Sequence, residues 1–109
     1  MTDEEALALA VRLVACKHFR PMPGMRDLQG RTWTPDLMWR WNRTIDRPDL
    51  RDPATLGCVL AMVREAWGDP FMYLAPADGW YVGNGARDGM AGVGATEAEA
   101  LASALEAAP

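Results

Sequence analysis

Residues 52–70 constrain the fold more than any other stretch, because they carry a helix with both ends marked. Asp52 is a good N-cap, and Pro53 suits the first helical position, where a missing N–H costs nothing. Gly68 suits the left-handed residue that closes a helix, and Asp69-Pro70 blocks continuation. Between Leu56 and Val63 no residue is charged. A helix apolar around most of its circumference is expected to be the central core element. Burying each large side chain stabilises by roughly 1.5–3 kcal/mol.

Two further helices have their own caps. Thr2 and Glu5 fit a capping box, and Asp3, Glu4 and Glu5 suit the positive end of the helix dipole. Leu7, Ala10, Val11 and Val14 form an apolar stripe that Leu9 and Leu13 widen. Lys17, His18 and Arg20 favour the C-terminal end, and Pro21 to Gly24 stop the helix. Thr96 and Glu99 open the last helix, which runs through Leu101 and Leu105 to about Ala108.

Strand patterns fill the gaps. Gln29-Gly30 suits a hairpin turn between 25–28 and 31–34, and Leu37, Trp39 and Trp41 alternate as on a third strand. Phe71–Ala75 and Trp80–Asn84 flank Pro76-Ala77-Asp78-Gly79, a second turn. Residues 83–94 hold five glycines and little that packs, which predicts a mobile loop. The expected fold is therefore one α+β domain over residues 1–109, in the order α-β-β-β-α-β-β-α. An antiparallel sheet of about five strands would carry the helices on one face. A chain of 109 residues can bury one core without metals or disulfides.

The net charge of −4 hides a bipolar distribution. Residues 17–51 hold eight cations against four acids, whereas residues 52–109 hold two cations against eight acids. Overall sign is thus a poor guide to a partner. No apolar run approaches 18 residues and residues 2–5 are acidic after Thr2, with no cationic start, so neither a membrane span nor a signal peptide is expected. Cys16 and Cys58 both sit in apolar helical patterns, as buried free thiols of a reducing cytoplasm would.

Known chemistries find little support in the residue types. The single histidine, His18, lies at a helix end, and Cys16 two residues away points off at a different angle, so no local thiol–imidazole pair forms. Cys58 reaches His18 only through tertiary packing. Two cysteines without a CxxC spacing, plus one histidine, do not make a zinc site. The glycines at 83, 85, 89, 92 and 94 lie between a strand and a helix, the right context for a phosphate. They match neither nucleotide-binding spacing, and Glu97 and Glu99 stand where the phosphate would. No catalytic residue, metal ligand or cofactor is expected.

The basic-aromatic stretch is the most suggestive feature: Arg31, Trp33, Trp39, Arg40, Trp41, Arg43, Arg47 and Arg51. Exposed aromatics on a sheet stack bases while arginines hold phosphates. Alternation instead favours tryptophans turned into the core with arginines at the rim. Trp and Arg also dominate protein–protein hot spots. Trp39, Arg40, Trp41, Arg43 and Arg47 are accordingly the candidate contact residues, for a protein first and single-stranded nucleic acid second.

The segment Asp49–Pro70, reading DLRDPATLGCVLAMVREAWGDP, resembles one in small bacteriophage and prophage proteins. Thr96–Leu101 and Ala104-Leu105-Glu106 are similar to the C-terminal helix of the same proteins. The matching positions are caps and core residues, and that family has no established activity. The resemblance implies a phage accessory protein in a bacterial cytoplasm, and the missing catalytic constellation makes a non-enzymatic one the expectation. It would bind and inhibit a host protein, for example a CRISPR-type defence component. The same contact residues would serve the rival reading, a single-strand-binding module. Monomer and dimer remain equally compatible with the sequence.

Overall fold

The computed structural model describes residues 1–34, 47–84 and 89–109. Its described elements are α1 (Asp3–Val14), α2 (Pro53–Trp67), β1 (Tyr73–Pro76), β2 (Trp80–Gly83), β3 (Met90–Gly94) and α3 (Glu97–Ala107). The three strands form one antiparallel sheet in the order β1-β2-β3. The α+β class and the antiparallel sheet therefore hold. Among the described residues the sheet has three strands rather than five.

The difference has two sources. The 25–34 hairpin is present but forms only isolated bridges, Arg26 with Thr32 and Asp27 with Pro48, so it does not extend the sheet. It closes around Gly30 (φ +83°), and Trp33 N donates to Met25 O at 2.7 Å. The expected strand at Leu37–Trp41 lies outside the described residues. Conversely, the glycine-rich segment expected as a loop contains β3.

Its glycines explain why. A Cβ on Gly92 would stand 2.5 Å from Ala100 O and nearer still to Ala104 N; one on Gly94 would stand 2.6 Å from Ala100 N. Glycine there lets the strand backbone lie directly on an alanine-rich helix face. Gly92 and Gly94 are thus packing residues. A three-residue loop, Ala77-Asp78-Gly79, joins β1 to β2, with Asp78 and Gly79 at positive φ.

This close approach makes α3, and not α2, the hub. Ala98, Ala100, Leu101, Ala102, Ala104 and Leu105 of α3 are all buried. The helix packs on all three strands and on α1 and α2. In α2 the caps form as the sequence predicts: Asp52 accepts from Thr55 N, and Gly68 is left-handed at φ +65°. Only Thr55, Val59, Met62 and Val63 of α2 are buried, and Gly57 and Ala61 face out. Trp67 fastens α2 to α3 by donating Nε1–H to Ala104 O at 2.9 Å.

Helix α1 turns differently from its expected stripe. Its buried residues are Ala6, Leu9, Ala10 and Leu13, while Leu7 and Val11 are exposed. It also stops earlier, at Val14, so Lys17, His18 and Arg20 follow the helix and do not cap it. Thr55 Oγ1 joins the hairpin to α2, accepting from Arg26 N at 2.9 Å while lying 3.0 Å from Asp52 Oδ2.

Candidate functional site: the outer face of the sheet

An antiparallel sheet with helices on one side ordinarily alternates apolar residues inward and polar residues outward. Here the inward set is Met72, Leu74, Trp80, Val82 and Gly92, turned toward α3. The register places Tyr73 opposite Gly83, Gly83 opposite Met90, and Ala75 opposite Tyr81, which in turn pairs with Val93. The outward strand positions are Tyr73, Ala75, Tyr81, Gly83, Met90 and Val93, and Phe71, exposed in the turn just before β1, makes a seventh residue beside them. None of the seven carries a charge.

Four of these side chains are well exposed: Phe71 at 73 %, Met90 at 67 %, Val93 at 55 % and Tyr73 at 44 %. The Tyr73 ring lies over Gly83, where a Cβ would stand 2.6 Å from its hydroxyl. Tyr73 and Tyr81 meet edge to face with centroids 5.9 Å apart. A glycine under a cross-strand aromatic keeps the ring flat along the sheet, and edge-to-face contact holds its neighbour in place. The result is a semi-rigid apolar shelf whose exposed side-chain area is on the order of 400 Å². Patches of this size on single domains commonly mark contact surfaces.

The sequence offered one signal for this shelf. Phe71-Met72-Tyr73-Leu74-Ala75-Pro76 is apolar at every position, so both faces of the strand ask for burial. Among the described elements, α3 covers one of those faces.

Of the residues singled out from the sequence, Trp39, Arg40, Trp41 and Arg43 lie outside the described residues. Arg47 is exposed, and its carbonyl accepts from Leu28 N at 2.9 Å, which sets it beside the hairpin. Arg31 is held by Asp27 at 2.8 Å, and Arg51 by Asp49 and Asp3 at 2.9 and 2.7 Å. Trp33 is in the core, at 9 % exposure, and is no stacking platform. Among the described residues its buried Nε1–H meets no acceptor.

The nucleophile candidates are engaged separately. Cys16 Sγ lies 3.4 Å from Arg12 O, and Cys58 Sγ lies 3.8 Å from Pro23 O. His18 Nε2 lies 2.7 Å from Pro109 O. Burial pushes both thiols above their ordinary range, aided at Cys16 by Glu106 and at Cys58 by Asp52, with Arg12 partly opposing at Cys16. A thiol held protonated is a poor nucleophile. No group of three or more His, Cys, Asp and Glu side chains suited to a metal occurs among the described residues. At the start of α3, Glu99 accepts from Ala95 N at 3.0 Å, and Thr96 Oγ1 accepts from Glu99 N at 3.2 Å. The chain's own carboxylate therefore occupies the place a phosphate would take.

No family model matches this chain, and neither a curated protein nor a solved structure does. No helix among the described residues is long and apolar enough to cross a membrane.

Proposed function

We propose that this chain is a non-enzymatic accessory protein of phage or prophage origin that binds a bacterial host protein, and that the outer sheet face is a contact surface. The observation that carries the binding reading is the shelf itself: six outward strand positions with Phe71 beside them, all uncharged and largely aromatic or aliphatic. Such a face gains from water exclusion and loses nothing to charge desolvation when a protein with an apolar, uncharged surface covers it. Among the described residues its outward positions offer a nucleic acid no cation for its phosphates, which weighs for protein over single-stranded nucleic acid. The resemblance of Asp49–Pro70 supports a host partner, a CRISPR-type defence component among them. Trp39, Arg40, Trp41, Arg43 and Arg47 form a second candidate contact set on the same hypothesis.

The test begins with affinity capture from bacterial lysate, followed by titration calorimetry with the purified partner. Tyr81→Lys/Val93→Lys should weaken binding at least tenfold while circular dichroism stays unchanged. An undiminished affinity removes the sheet face from the interface, and the same measurement on Trp39→Ala/Trp41→Ala then decides the second set. Fluorescence anisotropy with mixed-sequence oligonucleotides at about 50 mM salt tests the rival. Binding there that vanishes by about 200 mM would replace the protein reading with the nucleic-acid one.

A further inference from the structure

The outer sheet face has relief as well as composition. Its register sets two rows across the strands, Tyr73–Gly83–Met90 and Ala75–Tyr81–Val93. A register shift between Val82 and Gly83 lets Met90 and Val93, three residues apart, face the same way. The middle position of the first row has no side chain, and the Tyr73 ring covers it. Tyr81 stands at 78° to that ring, with centroids 5.9 Å apart. One aromatic ring thus forms a floor and a second forms a wall beside it. Met90, well exposed, lies across Gly83 from the strand that carries Tyr73.

Area and chemistry narrow what this relief accommodates. The exposed area is on the order of 400 Å², half of the roughly 800 Å² that each side of a standard interface buries. On its own the face is therefore sized for a short segment of chain and not for a second folded copy. The main chain of β2 is spent on ladders to both neighbours, and the outward side chains carry no charge. A segment lying there finds few acceptors for its own N–H groups and no counter-charge. Proline brings neither demand, because its nitrogen carries no hydrogen.

The spacing agrees with that chemistry. A polyproline II helix has no internal hydrogen bonds, stays solvated along its backbone, and presents the same edge every three residues, about 9 Å. Adjacent strands lie about 4.8 Å apart, so β1 and β3 are separated by about 10 Å across one row. Prolines three residues apart match that separation.

We propose that the outer sheet face takes a proline-rich segment of its partner in the polyproline II conformation. One proline ring lies on Tyr73 against Tyr81, and another, three residues along, lies against Met90. Aromatic surfaces receive such preformed segments at little ordering cost, and the Tyr81 hydroxyl can donate to a prolyl carbonyl. This rests on the sheet face being a contact surface and adds the chemistry of the segment it contacts.

The probe is acetylated, amidated octaproline, titrated into the full ¹⁵N-labelled chain, with a glycine–serine octamer as control. Amide shifts should concentrate in β1, β2 and β3 with a Kd below about 1 mM, and the control should move none of them. Tyr81→Ala should weaken binding about tenfold with circular dichroism unchanged. Tyr81→Phe, which keeps the ring, and Met90→Ala, at an exposed position, should each weaken it about threefold. No shift at about 5 mM octaproline overturns the proposal. So do shifts that the control reproduces, shifts centred outside the sheet, or an affinity that Tyr81→Phe and Met90→Ala both leave unchanged. Where octaproline fails but the captured partner still loses affinity to Tyr81→Lys/Val93→Lys, the proline assignment falls and the sheet-face reading stands.

Discussion

Replacing Gly92 with alanine should be among the most damaging single-methyl additions the chain can receive. The new Cβ would stand 2.5 Å from Ala100 O and 2.8 Å from Ala104 Cα, both main-chain atoms of α3. No side chain can swing aside to make room. Ordinary carbon contacts begin near 3.4 Å, so strand and helix must separate by about 0.9 Å. A radial gap of that size forfeits a quarter to a half of the dispersion at each facing contact. The facing residues include Ala98, Leu101, Ala104 and Leu105, all buried. Overpacking of a tight core costs about 1–3 kcal/mol, and a rigid backbone neighbour puts this case near ~3 kcal/mol. At about 4–5 °C per kcal/mol for a domain this size, the melting temperature should fall by roughly 12–15 °C.

Thermal unfolding followed by circular dichroism measures it, with Gly89→Ala as the control. Gly89 begins the same segment, and a Cβ there meets nothing within 4 Å. That variant should lie within about 1 kcal/mol of wild type. If Gly92→Ala melts within about 2 °C of wild type, the reasoning that glycine seats β3 on α3 is wrong.

Three other perturbations follow from single contacts. Thr55→Val should destabilise by about 1–3 kcal/mol in urea titrations, because it strips the buried acceptor from Arg26 N and the hydroxyl beside Asp52. Trp67→Phe, which leaves Ala104 O without its donor, should cost about 1–2 kcal/mol. Trp33→Phe should cost less, since it also removes a buried donor that has no acceptor. Both thiols are pushed up by burial, so iodoacetamide at pH 8 should alkylate the native protein several-fold more slowly than the urea-unfolded chain. The protonated thiols' contribution to stability is complete below the ordinary value of 9.0 and is lost as pH rises beyond it. Wild type should therefore lose its advantage over Cys16→Ala/Cys58→Ala above about pH 9.

The helices were legible because their ends are local chemistry. Thr2, Asp52, Gly68 and Thr96 cap in the structure as their types and positions predict, since a cap needs only the adjacent turn. What sequence could not reveal was which face each helix spends on the core. Leu7 and Val11 are as apolar as Leu9 and Leu13, and only α3's position selects between them. The same blindness hid β3. Met90-Ala91-Gly92-Val93-Gly94 has poor strand propensity, and its glycines read as freedom. They serve instead to remove a Cβ where two backbones meet, a requirement set by a helix that begins several residues later. The uncharged run from Leu56 to Val63 misled in the opposite way, because three of its eight residues are glycine, alanine and cysteine and demand little burial.

An alanine-rich helix lets the sheet come close, and closeness is gained by thinning the inner layer to Gly92, Gly94 and the alanines of α3. The bulky side chains of the strands must then go elsewhere. Val82 and Leu74 turn in, but Tyr73, Tyr81, Met90 and Val93 turn out, with exposed Phe71 just before β1. Were the shelf only a by-product of that packing, polar residues at the same outward positions would fold equally well and expose less apolar surface. Tyr81→Thr and Val93→Thr keep β-propensity while removing the apolar contact. If both variants retain stability within about 1 kcal/mol, as residues outside the core should, the apolar character of the face is not explained by folding and is left to binding.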